Sequence, residues 1–450
     1  MTMPLSAPPG ATPTPRRRLP LLALLAANGV SIIGNFMTLV ALPWFVLETT
    51  GSVAKTGITA VAVTLPQVLA GFFAGSLVDR LGYRRASVLA DLTAGASVAL
   101  VPLLYHSQRL AFGQLVALVF LGNLLNTPGT TARQSMLPDL ITRAAVPPAR
   151  ANAWYQSIFN ATALIGPLLA GLAIPVVGAS NVLFLDAATF AVSALTVGCC
   201  IPAGLAGAIT SRVPYLRQLR EGVRFISQDR LLFNLIWTST AVGFIGPAFF
   251  NVILPLYAKE EYGTPLALGL LRGGWGAGSL AGAVLYGFLA TRLPRRVTYA
   301  LSYTVGLAPF TLVLFAPPVL AGALALLLAG VSLAPGPPLR QTILQERTPE
   351  ALRSRVFGTS NAVNFLAAPL GTVLFSAVAQ GHGAIVAMAL MWLVWIGLAA
   401  AICFNPVFRQ MDATPARRGR AAMAAAGSDT TSSVDAPATL TAQSLTQAGE

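Results

Sequence analysis

The sequence predicts an all-α membrane protein: twelve transmembrane helices in two six-helix bundles related by a pseudo-twofold axis. Three observations carry that prediction. Of the 450 residues, 55% are hydrophobic and 10% charged, with a mean hydropathy of +0.70, whereas soluble domains carry about 25% charged residues. The basic residues sort to one side of a membrane. The two halves of the chain repeat one another.

A span needs about 20 apolar residues. Twelve stretches qualify, near residues 20–46, 53–78, 87–105, 110–130, 152–175, 181–201, 232–258, 266–291, 297–315, 317–339, 356–379 and 383–405, with prolines blurring the fourth and tenth. If the N-terminus is cytoplasmic, 25 of the 29 Lys and Arg fall in inner segments, beginning with Arg16-Arg17-Arg18. The outer loops hold Lys55, Arg109 and Lys259, and Arg272 lies within a span. This is the positive-inside distribution, and it puts both termini in the cytoplasm of a multi-pass inner-membrane protein. The net charge of +14 therefore reflects topology and implies no nucleic-acid partner. Arginine's excess over lysine points to a bacterial source. The Leu-rich run after Arg18 continues past any cleavage site, so it reads as an uncleaved first helix.

Residues 1–15 are rich in Pro, Thr and Ala, and 409–450 in Ala, Ser and Thr; both are expected to be tails without a core. Residues 16–202 form the first expected bundle and 232–408 the second, joined by a linker at 203–231. Within the linker, Tyr215 to Ile226 alternates apolar groups and arginines near helical spacing, predicting an amphipathic helix on the anionic inner leaflet. The repeat rests on three matches in one order. Gly75-Ser-Leu-Val-Asp79-Arg80-Leu-Gly82-Tyr-Arg84 aligns with Gly287-Phe-Leu-Ala-Thr291-Arg292-Leu-Pro294-Arg-Arg296. Pro128-Gly129 through Arg133-Gln134 aligns with Pro335-Gly336 through Arg340-Gln341, and Gly166-Pro167 more weakly with Ala368-Pro369. A duplicated six-plus-six chain reads as a transporter with its site at the seam near mid-membrane.

The loop from Gly75 to Arg85 joins spans two and three. Gly82 can supply a positive φ for the tight turn. Asp79 sits in the last turn of a helix, where the dipole disfavours an anion, so it calls for an outside partner. The loop resembles the G-x-L-x-D-R-x-G-R-[RK] segment of the major facilitator superfamily, with Tyr83 in place of a basic residue and Arg84-Arg85 restoring the charge. Ala132-Arg133-Gln134, Arg150-Ala-Asn152, Gly166-Pro167-Leu-Leu-Ala-Gly171 and Phe184-Leu185-Asp186-Ala187-Ala188-Thr189-Phe190 resemble the branch of macrolide-efflux pumps and enterobactin exporters.

That resemblance, over residues 20–405, implies a proton-driven exporter of drugs or other amphiphiles. It implies no enzyme activity and no cofactor; the partners would be a small-molecule substrate, protons and the bilayer, with the chain monomeric. A siderophore or metabolite exporter, an importer, or a non-transporting sensor of the same fold are the alternatives. Gly75, Asp79, Arg80, Gly82, Arg84 and Arg85 would form an inner gate, with Asp79 facing the start of span eleven; otherwise they only set topology. Thr162 through Gly166, Pro167 and Gly171 is similar to the span-five antiporter motif, with Ala170 replacing a glycine. Arg133 and Arg340 end equivalent spans, either as anchors to the inner headgroups or as parts of the transport chemistry.

Ionisable groups inside a membrane are functional candidates. Asp186 and Asp91 each lie a few residues into a span, and a carboxylate withdrawn from water can load and release a proton near neutrality. Asp186 is the first candidate for the coupling proton, Asp91 the second, and each has a structural alternative. Glu48 is an outer-loop group or a residue at the mouth of the pathway. Arg272 would pair with Asp186, meet an anionic substrate, or snorkel. Asn35, Gln67, Asn160, Asn251 and Asn364 are pathway candidates among span asparagines and glutamines that otherwise bond neighbouring helices. Trp44, Phe249, Phe250 and Trp275 line a cavity or face lipid. Span one has Asn28 and Asn35 where some drug antiporters of the superfamily keep an acid.

Other motifs are set aside. Gly276-Ala-Gly278-Ser-Leu-Ala281 fits G-x-G-x-x-A without a preceding strand; Gly274, Gly278 and Gly282 read instead as a packing face of span eight. Cys199, Cys200 and Cys403 lie in or at the ends of spans and offer no disulfide or metal spacing. His106 and His382 fall in outer loops, so no metal or catalytic cluster is expected.

Overall fold

A computed structural model describes residues 18–202, 215–289 and 292–412. Residues 1–15, Thr291, the tail beyond Asp412, and the surroundings of Gly75 and of the Asp79 side chain lie outside the described residues. Among the described residues, ten helices are long and apolar enough to cross a membrane. Spans one to six are Leu19–Thr50, Val53–Leu81, Tyr83–His106, Phe112–Ala144, Pro148–Val177 and Ala179–Cys200. Spans seven, nine and ten are Arg230–Tyr262, Arg295–Leu314 and Val319–Arg347. Pro265–Leu289 supplies span eight, its hydropathy lowered by Arg272 and its glycines. Glu350–Phe404 is two helices meeting at Gly383 (φ 83°, ψ 171°), and these are spans eleven and twelve. Among the described residues these make twelve passes, as the hydropathy of the sequence predicts.

Local chemistry sets the ends. Gly82, at φ 79° and ψ 144°, closes span two and opens span three; a Cβ there meets open space, so the backbone angle alone calls for glycine. The Asp229 carboxylate accepts from the Leu231 and Leu232 amides, capping span seven, and pairs with Arg347 at 2.9 Å. Prolines do not end the helices where the sequence suggests. Span four runs through Pro128 and Pro138 to Ala144. Span seven absorbs Pro247 and Pro255 with π-helical turns at Phe249–Ile253 and Ala258–Tyr262.

The packing repeats between halves. Spans one and five pair, as do seven and eleven; two and four pair, as do eight and ten; three packs on four and six, as nine does on ten and twelve. The seam shares the symmetry, because span two meets eleven as span eight meets five. Apolar burial is divided unequally between the two ends of the molecule. At the face carrying the Gly51 turn, one core unites both halves, including Leu42, Phe45, Ala170, Phe249, Leu268 and Phe375. At the face carrying Gly82, each half has its own core: Leu24, Met136 and Leu140 in the first, Leu235, Tyr299 and Ile343 in the second. The halves are thus joined at one face and separately packed at the other.

The linker helix, Tyr215–Gln228, departs from the expectation of a helix lying only on lipid. Gly222 lies against the Arg355 carbonyl and Thr359 of span eleven, Glu221 pairs with Arg355, and Ile226 is buried in the second bundle's core. The glycine allows this approach, so one face of the helix packs on protein. Packed structure also runs past the expected boundary at 408, since Pro406–Asp412 forms a 3-10 turn that buries Phe408 and Met411.

Candidate functional site

Three cavities meet around span one. The first, about 180 Å³, is lined by Asn35, Thr38, Gln67, Asn123, Asn126, Asp186 and Asn251. The second, about 380 Å³, is lined by Phe36, Phe159, Asn160, Phe250, Asn251, Arg272 and Trp275. A third, also about 380 Å³, runs along Asn28, Asn35, Thr130, Gln134 and Tyr155. Asn35 borders the first and third and Asn251 the first and second. Four of the expected pathway residues, Asn35, Gln67, Asn160 and Asn251, therefore surround one composite crevice.

Asp186 is 1% exposed, yet it borders the first cavity. Thr38 of span one donates to its Oδ2 at 2.5 Å, and Thr189, one turn on, donates to Oδ1 at 3.4 Å and to its carbonyl at 2.7 Å. No cation pairs with it among the described residues. Gly34 makes this possible: a Cβ there would collide with Thr189 and the Asp186 carboxylate. Removing the side chain at Gly34 lets span six press its acid against span one.

Asp91 is differently placed. Its Oδ1 accepts from Arg133 at 2.6 Å and its Oδ2 from Ser193 at 2.7 Å, and both charged side chains are fully buried. The cluster ties spans three, four and six, and Asp91 borders none of the three cavities. This corrects the anchoring expectation for Arg133, which does not reach headgroups; span four extends 11 residues beyond it to Ala144. Its counterpart Arg340 is half-buried, with Ser360 Oγ 3.4 Å away.

Arg272 forms no ion pair with Asp186. Its Nη2 donates to the Phe250 carbonyl and to Asn251 Oδ1 at 3.2 Å, and its guanidinium lies 5.8 Å from the centre of the Phe250 ring. At 6% exposure it does not snorkel. The free carbonyl has a cause in the chain. The Leu254 amide bonds the Phe249 carbonyl in π register, and Pro255, next along, has no N–H to give to Phe250.

The remaining candidates separate. Arg84 donates to the Gly198 carbonyl in the last turn of span six, a helix C-terminus in its own bundle and not a latch between bundles. Arg80 and Arg85 are exposed, and Gly82 makes the turn. Glu48 is solvated at the end of span one. Asn364 lies against Gly243 of span seven and lines none of these three cavities, apart from the other expected pathway residues. Trp44 and Phe249 are core residues, whereas Phe250 and Trp275 line the second cavity. The antiporter-motif glycines are contact points: Gly166 takes Phe36 of span one, where a Cβ would come within 2.5 Å of its Cβ, and Gly171 faces Gly269 of span eight, where a Cβ would come 3.1 Å from its Cα. Pro167 offers its carbonyl at the same seam. Sequence reasoning missed Thr38 and Gly34, whose only signal is position relative to an acid on another span, and Thr189, which stands one turn after Asp186 on the same span.

Comparison with known proteins agrees with this architecture. The family model described as Major Facilitator Superfamily matches residues 24–372 and 236–433. The chain is 32% identical over 407 residues to the multidrug efflux pump Tap of Mycolicibacterium fortuitum, covering 89% of this chain and 98% of that one. It is 22% identical over 380 residues to macrolide efflux protein A of Streptococcus pyogenes, covering 81% and 91%. Among solved structures, the nucleoside transporter NupG superposes with a TM-score of 0.69 at 12% identity, covering 87% of this chain and 98% of that one. A bacterial homologue of the human lysosomal transporter Spinster gives 0.68 at 14%, covering 90% and 100%. With its duplicated bundles, its central crevice and matches along most of its length, the chain belongs to the major facilitator superfamily.

Proposed function

We propose that this chain is a secondary transporter that exports amphiphilic drugs or similar small molecules in exchange for protons, by alternating access. The observation that carries the reading is Asp186, a buried carboxylate with no cation partner among the described residues, bordering the central cavity. A carboxylate in that position can hold a proton or give it up to a cargo entering the same cavity, and either occupant excludes the other. The efflux pumps to which the chain is similar support the class of cargo. By the positive-inside distribution, the Gly82 face and both termini lie in the cytoplasm. The shared core at the Gly51 face then closes the crevice outward, and the separate cores let the bundles rock. One chain encloses the whole crevice, which supports a monomer as the working unit.

Vesicles containing the protein, given an imposed pH gradient, are expected to accumulate a fluorescent amphiphilic dye. Asp186→Asn keeps the shape of the side chain and one accepting oxygen for a threonine hydroxyl but cannot load and release a proton, so gradient-driven accumulation is expected to fall to that of empty vesicles. Undiminished accumulation by the variant would exclude Asp186 as the carrier; no gradient-driven flux from a broad compound panel would exclude export.

Gly34→Ala tests the same site from the opposing helix. The added methyl displaces Thr189 and the Asp186 carboxylate, and overpacking of this kind costs about 1–3 kcal/mol. Gradient-driven flux is expected to fall about tenfold, with the variant still folded by circular dichroism. Wild-type flux would mean that the span-one contact does not position the acid.

A further inference from the structure

Asp186 and Arg272 are each buried, each lack an oppositely charged partner among the described residues, and border adjoining cavities that share Asn251. An isolated charge in a low-dielectric site is costly, and a ligand that neutralises it gains affinity that water would not give. Two such charges of opposite sign, one in each half, make a dipolar receptor. Arg272 is held in place by the Phe250 carbonyl and Asn251 through Nη2, and its buried Nε has no hydrogen-bond partner. The cavity beside it is walled by aromatic pairs: Phe250 with Trp275 at 5.0 Å between centroids, and Phe36 with Phe159 at 5.7 Å. Such walls accept a flat ring, and the guanidinium accepts an anionic or carbonyl oxygen at its edge.

We propose that the preferred cargo is amphoteric: an aromatic molecule whose anionic group meets Arg272 in the second cavity and whose cationic group meets Asp186 in the first. This rests on the export reading and narrows it. The cation takes the place of the proton on Asp186, so cargo and proton compete. The anion offsets Arg272, so the loaded crevice carries no net charge. A cation alone would leave Arg272 uncompensated, and an anion alone would be repelled by ionised Asp186. Asn251, whose Oδ1 holds Arg272 and which also borders the Asp186 cavity, couples the two ends.

The test is equilibrium binding to the purified full-length protein at neutral pH, which needs no gradient. Three probes share one ring system: norfloxacin, which is zwitterionic; its methyl ester, cationic only; and its N-acetyl derivative, anionic only. Norfloxacin is expected to bind about tenfold more tightly than either, since a hydrogen bond to a charged group contributes about that much. Arg272→Gln is expected to bring norfloxacin and the ester to parity, and Asp186→Asn to do so for norfloxacin and the N-acetyl compound. Arg272→Lys, which keeps the charge, is expected to retain part of the preference. Equal wild-type affinity for the three probes would overturn the proposal without any variant, and so would an Arg272→Gln protein that weakens norfloxacin and ester alike. Gradient-driven export of ethidium with no norfloxacin binding would sink the amphoteric site and leave export standing. The affinity pattern without flux of any compound would uphold the site and sink export.

Discussion

Arg133→Met is expected to destabilise the first bundle by about 3–5 kcal/mol, the range for stranding one member of a buried ion pair. The loss should be read as a fall in the thermal midpoint of the detergent-solubilised protein. Asp91 and Arg133 are both fully buried, 2.6 Å apart, and line none of the three cavities. Without the guanidinium, the carboxylate keeps only Ser193 as a donor and sits unneutralised among spans three, four and six. Asp91→Asn alone should be comparably harmful, since it strands the cation. In the double variant Asp91→Asn/Arg133→Met no charge remains, and stability is expected to return to within about 1–2 kcal/mol of wild type. The cycle separates a structural strut from a proton site. If Asp91 exchanged protons in transport, the double variant would recover stability but not flux; recovery of both assigns the pair to rigidity alone. Additive losses would show that the two residues do not act as a pair.

The second half treats the equivalent positions differently. The repeat aligns Asp91 with Tyr303 and Arg133 with Arg340, and Tyr303 is buried in an aromatic cluster with Tyr299 and Trp395. Trp395 Nε1 donates to the Tyr303 carbonyl at 3.0 Å. At these positions one bundle is braced by an ion pair and the other by packed aromatic rings. The only unpaired acid on the crevice is thus Asp186 among the described residues, which places the candidate proton site in the first half.

Much of this was legible because hydropathy and charge act at the level of whole segments. Twelve passes, the Gly82 turn and the glycine face of span eight all follow from composition and spacing. The Arg133 environment was not legible, because prolines blur the boundary of span four and leave Arg133 at its end. Pro128 and Pro138 are both accommodated inside span four, which carries the arginine into the bundle. Arg272 was visible as an intramembrane cation, but its partners depend on π turns in span seven that hydropathy does not register. Pro255, five residues after Phe250, is the one local sign. Asp186 stood out by charge and Thr189 lies one turn on along the same helix, while the rest of its cradle, Thr38 and Gly34, depends on the register between spans one and six. A single sequence does not encode that register in any short motif.

Gly269→Leu is expected to open the seam at the Gly51 face without unfolding either bundle. Span eight carries two glycine faces with different duties. Gly274, Gly278 and Gly282 lie against the Ala323, Leu327 and Val331 carbonyls of span ten, inside one bundle. Gly269 and Gly276 lie against Pro167, Gly171 and Ala163 of span five, across the seam, where a Cβ at Gly269 would come 2.8 Å from the Pro167 carbonyl. Bulk on the first face has nowhere to go, so Gly278→Leu should yield little folded protein. Bulk on the second is relieved by parting the bundles. Overpacking costs about 1–3 kcal/mol, and about 1.4 kcal/mol moves a two-state equilibrium tenfold. Ser376, which packs on Gly57 where spans two and eleven meet, reports the change. With Cys199, Cys200 and Cys403 replaced by alanine, Ser376→Cys in intact cells should react with an impermeant maleimide about tenfold faster in the Gly269→Leu background. The thermal midpoint should stay near that of the parent. Unchanged labelling with an intact fold would mean that the glycine contact of spans five and eight does not hold the outer seam shut. A collapsed thermal midpoint would mean that the seam is as rigid as a bundle interior, and that alternating access must hinge elsewhere.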